Sequence, residues 1–125
     1  MEIIDLAIAK QMTARYASTR KSLIDSTYTI NDTLSSWIPI DDLKDYVNNL
    51  PETATGVRVY LAAYDETETT YPSQTTIILA GTVSDDGCDN DVINGYEPLE
   101  NEVGLGPVNR ATNCPPDCPT CPPCE

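Results

Sequence analysis

Four of the five cysteines in this 125-residue chain lie close together near its C-terminus. Their spacing is C-x3-C-x2-C-x2-C, a grouping that random placement rarely produces and that indicates thiol chemistry. Thiolates gathered around one centre bind a tetrahedral zinc ion or an iron–sulfur cluster. The candidate metal ligands are Cys114, Cys118, Cys121 and Cys124.

The middle of this cluster, Cys118-Pro119-Thr120-Cys121, resembles the Cys-Pro-x-Cys knuckle of zinc ribbons and rubredoxin-like sites. In such a knuckle the backbone N–H groups two and three residues further on stabilise the first sulfur. Two other prolines remove the equivalent donors from the neighbouring cysteines, and Pro122 stands where a glycine normally follows. A monomeric module that holds zinc or an iron–sulfur cluster is therefore one hypothesis. A second is a disordered tail whose cysteines bind nothing specific.

Five prolines separate these cysteines and favour a different arrangement. Proline fixes its own φ and biases the preceding residue toward extended backbone, so we expect a polyproline II helix. On that helix Cys118, Cys121 and Cys124 share one face, with attachment points about 9 Å apart. Neighbours at that spacing are too far apart for one metal ion or for a disulfide within the row. The row therefore predicts inter-chain contacts, made by disulfides or a shared metal.

The remaining chemistry is limited because the chain has no histidine. Ser-His-Asp, Cys-His and His-based zinc hydrolase sites are thereby excluded. The sequence also contains no phosphate-binding loop and no dinucleotide glycine fingerprint. The fifth cysteine, Cys88, is expected to be a lone buried or loop thiol, or to pair with the odd member of the cluster. We therefore expect this chain to be a non-enzymatic structural or self-assembly protein.

The charge distribution bears on partners and location. The net charge of −13 repels phosphate backbones and anionic lipids, so we expect neither nucleic-acid nor membrane binding. Residues 1–24 hold four of the seven basic residues, and 18 of the 20 acids follow them. This asymmetry is typical of a solvated acidic loop surface. The alternative is that the N-terminal segment docks on the acidic surface of a neighbour, either another copy or another protein. The N-terminal residues do not resemble a signal peptide, so a cytoplasmic location is the default expectation.

Hydrophobic periodicity predicts the elements that would position the cysteines. Spacing of three and four residues predicts helices over 2–18 and 41–49. Strands are predicted over 34–38, 56–64 and 75–81, and residues 21–32 are expected to connect elements. The predicted fold is α+β, with a small antiparallel sheet of about three strands and two helices. We expect this domain to span residues 1–83, followed by an irregular, acidic, Gly/Pro/Cys-rich extension over 84–125.

Three stretches of this domain, residues 37–46, 55–65 and 75–79, resemble small uncharacterised proteins of Bacteroidota-type bacteria. The resemblance extends over about residues 10–83 and excludes the cysteine cluster. It implies one compact bacterial domain and carries no assigned activity. Four positions are a candidate shared pocket: Trp37, Arg58, Tyr60 and Tyr64. The structural alternative is that Arg58 pairs with a nearby acid beside packed aromatic rings.

Overall fold

The computed structural model describes residues 1–85, 87–91, 109, 112–116 and 118. The fold is α+β with small antiparallel sheets, which confirms the predicted fold class. Two helical segments accompany the strands. The longer segment precedes the first strand, and the shorter one lies between the first two strands.

The first helical segment consists of α1 (Leu6–Tyr16), a π-helical turn (Ala17–Lys21) and α2 (Ser22–Tyr28). Asp5 caps its start by accepting a hydrogen bond of 2.7 Å from the Ala7 amide. The prediction that residues 21–32 only connect elements is wrong for the first part of that range. An ion pair one turn apart, between Lys21 and Asp25, spans the junction and favours a continued helix. The helix ends at Thr29, whose φ is 55°.

The apolar side chains that predicted this helix are exposed. No residue of α1 is buried, and Ile4, Ile8 and Met12 each keep about half of their surface in contact with solvent. A helix that buries no apolar face gains little from tertiary packing. Within this chain, the helix is therefore stabilised mainly by its backbone hydrogen bonds, the Asp5 cap and the Lys21–Asp25 ion pair.

The larger sheet contains three strands in the order β2 (Ala54–Ala63), β3 (Thr75–Asp85) and β4 (Cys88–Asp91). Strands β3 and β4 are antiparallel, with Asp85 opposite Cys88. The hairpin turn contains Gly87 at φ +81°, a conformation that glycine adopts without strain. An Asp-Gly pair between two extended runs is a strong hairpin signal. The sequence therefore contained the evidence for this hairpin, in a region predicted to be irregular.

The smaller sheet pairs β1 (Ser35–Trp37) with β5 (Thr112–Cys114). Strand β5 lies in the segment whose composition predicted irregular structure, and it ends at Cys114, the first residue of the cysteine cluster. This pairing joins positions more than 70 residues apart in the sequence. Strand β1 lies within the predicted strand over 34–38, but no local pattern indicates which distant segment pairs with it.

Helix α3 (Ile40–Asn48) packs on β3. The hydroxyl of the buried Tyr46 donates a hydrogen bond of 3.3 Å to the carbonyl of Leu79. Gly81 permits a close approach, because a Cβ atom at this position would lie 2.4 Å from Leu50 Cδ2. The apolar spacing of α3 thus predicted a helix face that contacts the sheet.

Two compact units make up the described chain. The first contains residues 1–36, 64–75, 113–116 and 118, and the second contains residues 37–63, 76–85, 87–91, 109 and 112. The buried hydrophobic residues of the described chain, Tyr46, Leu79 and Ala80, all belong to the second unit. The buried residues described in the first unit are all polar: Asp32, Thr33, Gln74 and Asn113. The predicted boundary near residue 83 stays a prediction.

Candidate functional site

The Cys114–Cys118 pair forms a disulfide, with the two Cα atoms 4.6 Å apart. While the disulfide is intact, these sulfurs are not thiolates and do not serve as metal ligands. Cys121 and Cys124 lie outside the described residues, so the four-cysteine metal site and the inter-chain row stay predictions. Cys88 is an exposed free thiol at the start of β4.

A group of hydrogen-bonded polar residues in the first unit contacts the disulfide loop. We call this group the polar cluster. It consists of Asp32, Thr33, Ser36, Gln74, Thr75 and Asn113. Asp32 and Asn113 have no exposed surface. Buried polar groups are stabilising only when they are hydrogen-bonded, so the contacts of these two residues decide the stability of the site.

Asp32 binds the start of β3 with both carboxylate oxygens. Its Oδ1 accepts a hydrogen bond of 2.7 Å from the Thr75 amide, and its Oδ2 accepts one of 2.7 Å from the Thr75 hydroxyl. Hydrogen bonds to an ionised group are stronger than those between neutral groups. This double contact therefore joins the loop after α2 to β3.

Asn113 connects the strand before the disulfide to two other parts of the first unit. Its Nδ2 donates to the Thr75 carbonyl at 3.0 Å, and its Oδ1 accepts from the Ser36 hydroxyl at 2.8 Å. The Thr75 carbonyl also accepts a hydrogen bond of 2.6 Å from the Thr33 hydroxyl. Thr75 is consequently held at its amide, its hydroxyl and its carbonyl.

The backbone of the disulfide loop is itself bound at two carbonyl groups. The Leu34 amide donates to the Cys114 carbonyl at 2.6 Å, and Gln74 Nε2 donates to the Pro115 carbonyl at 3.1 Å. The same Gln74 group donates to the Asn31 carbonyl at 2.8 Å. The cysteine loop is therefore anchored to the first unit at the position where the predicted extended segment begins.

Asp25 connects the polar cluster to the helix. One of its oxygens accepts a hydrogen bond from Lys21 Nζ, and the other accepts one from the Asp32 amide. The Lys21 ammonium, which also donates to Asn31 Oδ1, and then the Asp32 amide hold the pKa of the Asp25 carboxyl below its ordinary value. The ionised form of Asp25 is thus the one that the folded chain stabilises.

This lowered pKa predicts an acid-dependent contribution to stability. Ionised Asp25 stabilises the fold at pH values above its unfolded pKa of about 4, and the contribution is lost as the pH falls through the lower folded pKa. We expect the melting temperature of the wild type to fall more steeply on acidification below that value than that of Asp25→Asn. Thermal unfolding followed by circular dichroism from neutral to acidic pH measures the difference.

The exposed Glu66→Gln variant is the control, because Glu66 accepts no hydrogen bond described for its side chain and lies in the loop between β2 and β3, away from any helix terminus. Its pH profile should follow that of the wild type more closely than the Asp25→Asn profile does. Identical slopes for the wild type and Asp25→Asn would contradict the assigned role of Asp25.

The four residues of the predicted pocket are divided between the units. Trp37, Arg58 and Tyr60 belong to the second unit, whereas Tyr64 belongs to the first. Tyr64 stacks on Tyr71, with the ring centroids 5.9 Å apart. Trp37 is exposed at the end of β1. The pocket therefore stays a prediction.

The sequence did not predict the polar cluster. The sequence pattern places Asn31 and Asp32 in the predicted connecting segment over 21–32, and it predicts no role for Thr33 or Asn113. Within the described ranges, no group of three or more His, Cys, Asp or Glu side chains could hold a metal ion. None of the helices described is both long enough and apolar enough to cross a membrane.

Comparisons with known proteins return no relatives. No protein-family model, no curated protein and no solved structure matches this chain. The similarity to small bacterial proteins stays an expectation from the sequence. Any functional inference must therefore be based on the residues themselves.

Proposed function

We propose that this chain is a non-enzymatic structural protein that joins copies of itself through disulfides formed by its C-terminal cysteines. The observation that supports the proposal most directly is the anchored Cys114–Cys118 loop. Its two carbonyl contacts attach the start of the cysteine cluster to the first unit. A covalent link made beyond the loop would therefore act on the folded chain and not on a loosely attached segment.

The pairing of Cys114 with Cys118 leaves Cys121 and Cys124 for other partners. Two prolines separate these cysteines, and in the expected polyproline II conformation their Cα atoms are about 9 Å apart. A disulfide requires Cα atoms within about 7 Å. Pairing between chains is therefore favoured over pairing of Cys121 with Cys124 in one chain.

Each proposed link forms by thiol–disulfide exchange with an oxidised small disulfide such as oxidised glutathione. A thiolate of one chain attacks the small disulfide and releases one small thiol, and a thiolate of the second chain then displaces the other. The two protein thiols lose two electrons and two protons, and the small disulfide leaves as two thiols. The proposal thus requires an oxidising environment, unlike the cytoplasmic location that the sequence suggests by default.

Electrophoresis of the full chain without and with reductant tests this function. After incubation with oxidised glutathione, we expect bands at multiples of the 13.6 kDa chain mass that collapse to one band on reduction. The Cys121→Ser/Cys124→Ser variant should lack these bands. Cys88→Ser is the matched control, because Cys88 is a free exposed thiol outside the cluster, and it should retain them.

Three outcomes would refute the proposal. The first is a single-chain band under all oxidising conditions. The second is a loss of linked bands in Cys88→Ser alone. The third is stoichiometric zinc or iron in protein purified without oxygen and with the cluster thiols reduced, which would support the monomeric metal-binding module instead.

A further inference from the structure

Strand β2 presents an uncovered row of apolar side chains. Val57, Val59 and Leu61 alternate along one face of the strand and are 40%, 56% and 79% exposed. Alternate residues of a strand share one face, so these three side chains form a continuous stripe. The sequence predicted the alternation, but the structure does not bury this face.

The same strand lies at the edge of its sheet. In the part of the chain that the structure describes, β2 neighbours β3 on one side and no strand on the other. An edge strand presents a row of backbone N–H and C=O groups that can pair with another strand. Proteins usually protect such edges with charges, proline or a short strand. Strand β2 is ten residues long, contains no proline and has Arg58 as its only charged residue.

The charge of this region favours a second copy as the occupant. Residues 53–64 contain no acid, although the chain carries a net charge of −13. Two copies that meet through acidic surfaces repel one another. Contact through β2 brings together two segments without carboxylates, so this electrostatic cost is reduced there.

Symmetry then limits the register. In an antiparallel pair of identical strands, opposite side chains must lie on the same face, so the two-fold axis passes through a residue position. An axis at Arg58 would place two guanidinium groups opposite each other, which is destabilising. With the axis at Val59, the two strands overlap over nearly their full length, and Val59 lies opposite its copy. Val57 then lies opposite Leu61, and Arg58 lies opposite Tyr60. These are apolar and cation–aromatic pairs, which stabilise cross-strand contacts.

We propose that β2 pairs antiparallel with β2 of a second copy of this chain, about a two-fold axis through Val59. The pairing extends the sheet across two copies and continues the apolar stripe of each copy into that of the other. It requires no cysteine, so it stands or fails independently of the disulfide links proposed above.

Light scattering coupled to gel filtration tests the pairing in a reducing buffer that prevents disulfide links. We expect a mass of two chains for the wild type and for Cys121→Ser/Cys124→Ser. Val59→Lys places two ammonium groups opposite each other at the axis and should halve the mass to one chain. Ile40→Lys is the matched control, since Ile40 is also exposed, at 62%, and lies outside β2, and it should retain the two-chain mass.

Cross-linking tests the register and does not depend on how well Val59→Lys folds. In a Cys88→Ser/Cys121→Ser/Cys124→Ser background, Val59→Cys should form dimers with a short bifunctional thiol reagent, whereas Ile40→Cys should not. A one-chain mass for the wild type at all concentrations would overturn the pairing, as would equal cross-linking of the two cysteine variants. Failure of disulfide linkage together with a two-chain mass would overturn only the proposed function.

Discussion

Replacement of Asp32 by alanine is expected to lower the free energy of unfolding by about 3 kcal/mol, the largest effect of any single substitution considered for the first unit. Asp32 is fully buried and accepts two hydrogen bonds from Thr75. Its removal leaves the Thr75 amide and hydroxyl without these acceptors. A buried donor that loses its acceptor costs about 1–3 kcal/mol because it has also lost its contacts with water.

Asp32→Asn separates the loss of the contacts from the loss of side-chain volume. The amide oxygen of asparagine can accept from the Thr75 amide, and its nitrogen can donate to the Thr75 hydroxyl oxygen, so both contacts can re-form, but only between neutral groups. We therefore expect a stability between those of the wild type and Asp32→Ala. Urea denaturation at neutral pH, followed by far-ultraviolet circular dichroism without reductant, measures all three free energies of unfolding.

Glu66→Ala is the control for loss of an acid, because Glu66 is exposed in the loop between β2 and β3. Its free energy of unfolding should differ from the wild-type value by no more than about 0.5 kcal/mol. A similarly small change for Asp32→Ala would show that the Asp32–Thr75 contacts do not stabilise the fold.

Replacement of Asn113 by alanine is expected to loosen the attachment of the cysteine loop. Asn113 is fully buried, and its side chain bonds both the Thr75 carbonyl and the Ser36 hydroxyl. The adjacent Cys114 carbonyl accepts its hydrogen bond from the Leu34 amide. Loss of about 1–2 kcal/mol from local opening corresponds to an increase of roughly 5- to 30-fold in exchange of the Leu34 amide.

Hydrogen exchange measured by nuclear magnetic resonance reports this change at one amide. The Asn49 amide, which donates to the Asp45 carbonyl at the end of α3, is an internal reference and should be unaffected. Asn48→Ala, at an exposed position of α3, is the matched control variant. Exchange of the Leu34 amide that remains at the wild-type rate in Asn113→Ala would contradict the anchoring role of Asn113.

Asp32 and Asn113 also relate the stability of the first unit to the proposed assembly. A link between chains of the kind proposed would act on the first unit only while the strand that precedes the disulfide stays attached to that unit. We therefore expect Asn113→Ala to retain the ability to form disulfide-linked bands, since its cysteines are unchanged. The disulfide-linked Asn113→Ala protein should show faster exchange of the Leu34 amide than the linked wild type, but the same bands in electrophoresis without reductant.

The elements with strong local periodicity are predictable from the amino-acid pattern alone. Alternation over 56–64 and the apolar run over 75–81 predicted β2 and β3, and the spacing around Tyr46 predicted α3. These predictions succeed because a strand or helix imposes its repeat on neighbouring residues. The hairpin at Gly87 has an equally local signal, although the acidic composition of its surroundings predicts irregular structure.

The membership of the polar cluster and the attachment of the cysteine loop depend on contacts between distant segments of the folded chain. Asp32 and Thr75 are 43 residues apart, and Ser36 and Asn113 are 77 apart. A hydrogen bond between distant polar side chains has no sequence period, and the same residue types are common in exposed loops. The proline-spaced cysteines indicated thiol chemistry from sequence alone, but the partner of Cys114 and the contacts that hold it required the folded chain, because both depend on which distant segments meet.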